Sequence, residues 1–169
     1  MSLTGSRDGE RGSYPEIVDA LTRHGAQAKT DAHALYRGVV FNVLISNVDD
    51  HLRNHGFVRD PRLAGWRLSP LYDVVPRPGV AYERFLHLEV GLQGKLATLD
   101  NALSAYARFD LERQDAVMVM ATIVHQVQQW RGFFEGHGAS GALIDRLSTA
   151  FRELEEVASP SLRKELTSK

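Results

Sequence analysis

A mainly helical domain interrupted by one small β-hairpin is the fold class the sequence predicts, and three observations predict it. From Gly38 to Asn47 the run GVVFNVLISN carries no charge, which marks a helix surrounded by protein rather than one lying on a surface. Beyond Thr98, residues Val117, Met120, Ile123, Val124 and Val127 recur at helical spacing, a buried stripe on a long helix. Between these blocks stand two short β-prone pieces, Gly56-Phe57-Val58 and Gly65-Trp66-Arg67-Leu68. The loop Asp60-Pro61-Arg62-Leu63-Ala64 joins them as a hairpin.

The elements follow in order. Pro15 suits the first turn of a short helix through Ile17, Val18 and Leu21 that stops near Gly25. Thr30 or Asp31 can cap a second helix through Leu35, Val39, Asn42 and Ile45, ending at Ser46-Asn47. After the hairpin, SPLYDVVPRPG is extended and punctuated by proline, and FLHLEVG alternates as a strand would. Thr98 caps the next helix, Asp110 a long one reaching about Phe134, and a last one covers roughly Ser140 to Val157. Trp66, Trp130 and the pair Phe133-Phe134 are expected in the core or at an interface. Residues 1–13, MSLTGSRDGERGS, resemble a tag-derived start and a flexible segment. The expected domain spans 14–158, with 159–169 as a flexible tail.

Composition narrows the chemistry. The chain has 169 residues, 20 Lys+Arg against 21 Asp+Glu, and a net charge of -1. That near-neutrality supplies no field for nucleic acid or an anionic membrane, so direct nucleic-acid binding is not expected. With no cysteine there is no disulfide, thiolate zinc site or Cys nucleophile. A metal would have to use carboxylate, amide or imidazole ligands, which favours hard ions such as magnesium. No apolar stretch reaches the roughly 18 residues that span a bilayer, and a cytoplasmic protein is the expectation.

The uncharged run ends in NVDDHLRNHGF, a concentration of acids, imidazoles and amides where a simple turn would suffice. Asp49 and Asn54, five positions apart, can point into one cavity, and Asp73 can join them from the extended segment after the hairpin. That set offers a few hard oxygens, leaving the other magnesium positions to water and phosphate. Asp49-x-x-x-x-Asn54 also has the spacing of the protein-kinase catalytic loop, where Asp receives the hydroxyl proton and Asn holds magnesium. Asn42 and Asn47 are expected to hold the loop through backbone hydrogen bonds. His51 and His55 at i, i+4 could form a zinc pair, but only on a helix, and the flanking sequence reads as loop.

Two blocks in this order, FNVLISNVDDHLRNHGF and WRLSPLYDVVP, resemble the C-terminal half of the HipA-type serine/threonine kinases. The family pattern N/T-x-D-x-H-x-K-N is met from Asn47 to Asn54, with Arg53 where the family often has Lys, and L-S/T-P-x-Y-D is met from Leu68 to Asp73. The resemblance covers about Tyr14 to Leu154 in arrangement, with specific motifs from about Phe41 to Pro76. It implies a kinase C-lobe-like domain with Asp49 as catalytic base and Asn54 and Asp73 as magnesium ligands. It places His51 near the transferred phosphate and Arg53 as a cation where the family often has Lys; Tyr72 is expected to pack beside Asp73, near nucleotide. ATP and Mg2+ are the implied cofactors, a protein Ser/Thr the implied substrate, and a DNA-binding antitoxin a partner by family resemblance. Asp50 occupies a position that can be Gly, and no chemical role is expected of it.

A kinase also needs a glycine-rich phosphate loop and a strand lysine. TGSRDGERG has the wrong spacing and no preceding strand, and Lys29, Lys95, Lys164 and Lys169, the only lysines, sit in no V-A-I-K-like context. The nucleotide-clamping lobe is therefore expected outside these residues, with the chain alone nearly inactive. Two other readings stand beside this one. The chain could be a kinase-like module that has lost catalysis and binds proteins, or a metal-dependent hydrolase using His51, His55, Asp49 and Asp50.

Overall fold

The computed structural model describes residues 12–168. Helix α1 (Tyr14–His24) begins at Ser13, whose hydroxyl accepts from the Glu16 amide, and Pro15 sits in its first turn. Helix α2 (Ala28–Leu44) starts before the expected cap. Asp31 lies inside its first turn, and its carboxylate accepts from Arg67 of the hairpin instead. Strands β1 (Phe57–Asp60) and β2 (Gly65–Leu68) pair antiparallel as the expected hairpin, Phe57 opposite Leu68, with Asp60 in the strand opposite Gly65 rather than in the loop.

The helical half comprises α3 (Leu99–Ser104), α4 (Arg113–Gln128), α5 (Trp130–Gly136), α6 (Gly141–Leu147), α7 (Leu154–Val157) and α8 (Pro160–Thr167). The domain is thus mainly α with one small hairpin. Helices α1, α2 and α4 enclose the core, and Val39, Val40, Val43, Leu44 and Ile45 are all buried, as the uncharged run requires. No helix among the described residues is long and apolar enough to cross a membrane.

Three expectations about the helices are corrected, each by packing. The long helix does not begin at Asp110, which takes a left-handed conformation (φ 56°) with its carbonyl on His33 and its carboxylate on Lys29. It also breaks after Gln128, because Trp130 stacks on Phe151 with ring centroids 4.0 Å apart. Of the aromatics expected in the core or at an interface, Phe133 and Trp66 are exposed in this chain. The stretch 140–157 is likewise broken. Its middle is drawn against the end of α2, where the Arg152 amide donates to the Leu44 carbonyl at 2.8 Å and satisfies an otherwise orphaned helix-end acceptor.

FLHLEVG keeps the expected alternation, with Leu86, Leu88 and Val90 buried, but makes only isolated bridges rather than a continuous strand. Gly91 in that segment approaches the Asn101 backbone so closely that a Cβ would sit 2.1 Å from its carbonyl oxygen. Where a flexible tail is expected, α8 instead packs on α4 with Leu162 and Leu166 buried. At the other end, residues 1–11 of the expected flexible segment lie outside the described residues. Gly12 and Ser13 are tied down by backbone bonds and a bridge to Glu89.

Candidate functional site

The polar loop is built on the C-terminal end of α2. Ser46 turns the chain out of the helix in a left-handed conformation (φ 55°), unusual for a residue with a side chain. Its hydroxyl donates to the Ala150 carbonyl at 2.8 Å and accepts from Arg84, and these contacts hold the turn. The Asn47 amide returns to the Asn42 carbonyl at 2.9 Å.

Asp50 is the centre of the mount. One of its oxygens, Oδ2, accepts from the Tyr14 hydroxyl at 2.5 Å and the Asn42 amide at 2.7 Å, and lies 3.0 Å from His55 Nε2. Asn42 also accepts from the Asn47 side chain at 3.1 Å, so both asparagines do hold the loop, largely through side-chain partners. All five side chains are buried. Burial, and after it the Asp50 carboxylate, pushes the Tyr14 phenol well above its ordinary range. Sequence reasoning missed Asp50. The only signal was polar Asn42 inside an uncharged helix, a group that must find a partner when buried.

Around this mount the predicted residues take different stations. Asp49 points outward, its side chain 61% exposed, with Oδ2 3.0 Å from Arg77 Nη2. His51 is half-buried, its ring edge-on to His87, and its Nδ1 is buried without a partner among the described residues. Leu52–Asn54 form one 3-10 turn, which buries Asn54 and aims its amide nitrogen at the Asp49 carbonyl, 3.4 Å away. With the nitrogen so engaged, the Asn54 carbonyl oxygen is the atom left to act as a hard ligand. Arg53 is exposed, and its carbonyl accepts from the Tyr72 hydroxyl at 2.6 Å.

Asp73 follows Tyr72 in a left-handed conformation (φ 55°), exposed, with no hydrogen bond or ion pair on its carboxylate among the described residues. Tyr72 can reach the loop because Gly56 lacks a side chain: a Cβ there would crowd the Tyr72 hydroxyl at 3.3 Å and the Ser69 hydroxyl at 3.1 Å. Two stitches therefore bind the Asp73 segment to the loop, Tyr72 to Arg53 and Arg77 to Asp49. No hydrogen bond joins the side chains of Asp49, Asn54 and Asp73 directly among the described residues.

The donor set suits magnesium better than zinc. Asn54 and Asp73 offer oxygen ligands, one with its nitrogen already occupied and the other free, and magnesium is content with few protein oxygens. Among the described residues, no three His, Asp or Glu side chains gather as a metal-holding group. His55 faces Asp50 in the interior, and the two histidines do not share a helix. The hydrolase arrangement thus lacks its imidazole pair.

A helical domain that mounts a polar loop on a buried helix, with a hairpin behind it, is the class these features define. The chain belongs to the HipA-like C-terminal domain family, whose model matches residues 1–131. Among solved structures it is similar to a chain from the Shewanella oneidensis MR-1 toxin–antitoxin system complex of HipA, HipB and operator DNA. The two are 17% identical with a TM-score of 0.53, over 96% of this chain and 34% of that one. The fold is shared, and the present chain spans about a third of its neighbour's length. No curated protein matches.

Proposed function

We propose that this chain is the C-terminal catalytic lobe of a HipA-type kinase that transfers phosphate from ATP to a Ser or Thr of a protein. The observation that carries the reading is the double stitch of the Asp73 segment to the loop that presents Asp49 and Asn54. Phosphoryl transfer needs alignment and charge compensation more than covalent help, and a loop locked onto a buried helix provides alignment. When bound, Mg-ATP supplies the phosphoryl group and the metal offsets its charge. In this reading Asn54 and Asp73 hold the metal, Asp49 orients the acceptor hydroxyl and receives its proton, and His51 and Arg53 face the phosphates. Tyr72 fixes the approach of Asp73 through its bond to the Arg53 carbonyl. A cytoplasmic location goes with this reading. So does a DNA-binding protein partner, since the Shewanella neighbour was solved with HipB and operator DNA.

The test is radiolabelled phosphate transfer by the full-length natural protein containing this domain. Asp49→Asn and Asp73→Asn should each lower the rate by at least about 100-fold. The 169-residue chain alone should transfer phosphate negligibly, since it carries no phosphate loop or clamping lysine. Full activity in Asp49→Asn, or robust activity of the short chain, would overturn the proposal. Intact binding to a protein partner without any transfer would point to the non-catalytic module instead.

A further inference from the structure

We propose that Arg77 is the positioning residue of this site: it aims the Asp49 carboxylate and sets the distance between the Asp49 loop and the Asp73 segment. The inference rests on the kinase reading of Asp49. Among the described residues, Arg77 is the one partner of the Asp49 carboxylate, through a single bond of 3.0 Å to Oδ2. Both side chains are more than half exposed, and such pairs add little to stability. Orientation is therefore the effect to weigh.

Three features separate this pair from a casual surface contact. The backbone on each side of Arg77 is pinned. Tyr72 is bonded to the Arg53 carbonyl, while Gly79 donates to the Thr149 hydroxyl at 3.2 Å and accepts from Arg84 at 2.7 Å. The Asp49 side is pinned as well, by buried Asp50 next to it and by Ser46, whose hydroxyl is held by Arg84 and Ala150. Arg84 thus reaches both segments, and both ends of the Arg77–Asp49 contact start from fixed positions, which lowers the entropy lost in forming it.

The chemistry also suits the task. Arg77 engages Oδ2 only and leaves Oδ1 for an incoming hydroxyl. A guanidinium stays protonated at any working pH, so it cannot compete for the proton that Asp49 is to receive. A carboxylate on an exposed loop would otherwise sample several rotamers, and misplacing a reacting group by about 1 Å can cost on the order of 100-fold in rate.

The test has two arms. In the 169-residue chain, NMR of the arginine side chains should show the Arg77 Nη2 protons shifted from those of a solvated guanidinium. Asp49→Asn should return that signal to the position of a solvated arginine. In the full-length protein, Arg77→Ala should lower kcat by about 10- to 100-fold with KM for ATP unchanged. Arg77→Lys should restore part of the loss, and Arg77→Ala should add no further loss to the residual single-turnover rate of Asp49→Asn.

An unshifted Arg77 signal, an unchanged kcat, or an equal loss in both backgrounds would overturn the inference and leave the kinase reading intact. A raised KM for ATP would also overturn it, by making Arg77 a phosphate ligand. Undiminished activity in Asp49→Asn would instead bring down the kinase reading, and the inference with it.

Discussion

Asp50 gathers a phenol, an amide and an imidazole onto a single carboxylate oxygen, in a place from which water is excluded. Beside it Asp49 reaches solvent, so two adjacent acids carry unlike duties, one structural and one proposed as chemical. Removing a buried acceptor that serves several donors leaves each of them unpaired, at about 1–3 kcal/mol per group. Asp50→Ala should therefore cost about 3–5 kcal/mol, measured as a lower midpoint in urea at unchanged slope. Asp50→Asn, which keeps one acceptor oxygen, should lose less. A stability unaltered by Asp50→Ala would show that the mount does not depend on this residue. The same change should also slow phosphate transfer in the full-length protein, because the loop that carries Asp49 and Asn54 would lose its anchor.

At the scale of elements, the hairpin is held by one acid from a distant helix. Asp31, almost fully buried near the start of α2, takes two nitrogens of Arg67 at 2.8–3.0 Å and the Leu68 amide at 3.0 Å. A two-stranded hairpin is marginal by itself, so this anchor fixes where the following Leu68–Asp73 segment starts. Asp31→Ala should cost about 3 kcal/mol, since it strands a partly buried guanidinium and a backbone donor. Hydrogen exchange should report the loss first in β1 and β2. Exchange that accelerates evenly across α1, α2 and α4 instead would show that the pair stabilises the whole core rather than the hairpin.

Across the whole molecule, two buried tyrosines couple stability to alkaline pH. Burial raises the Tyr14 and Tyr36 phenols above their ordinary range, and the Asp50 carboxylate adds to the effect at Tyr14. In the unfolded chain both ionise near pH 10, so above that pH the folded state binds more protons than the unfolded one. The stability they contribute is complete below about pH 10 and falls as pH rises towards their folded values. Tyrosinate absorbance should show that two of the five tyrosines titrate only as the protein unfolds. Gradual ionisation of all five without loss of helical circular dichroism would contradict this. The Tyr36 hydroxyl has no partner among the described residues, so Tyr36→Phe should be neutral or mildly stabilising and leave Tyr14 as the one late titration.

Local pattern by itself determined the mainly helical class, the hairpin, the Thr98 cap, the buried run before the loop and the two motif blocks that carry the family resemblance. Those features depend on neighbours within a few positions, where periodicity and turn chemistry act. Tertiary packing alone decided where α4 and the 140–157 stretch break, because Trp130 turns onto Phe151 and Arg152 reaches the end of α2. It also made a helix of the C-terminal tail by giving Leu162 and Leu166 a surface to cover. The candidate site divides in the same way. Asp49, Asn54 and Asp73 stand out as candidates by order and spacing, whereas the contacts of Asp50 and Arg77 come from partners 36 and 28 residues away, Tyr14 and Asp49. A sequence shows which groups are polar, but only the packed chain shows which are buried and what they then must touch.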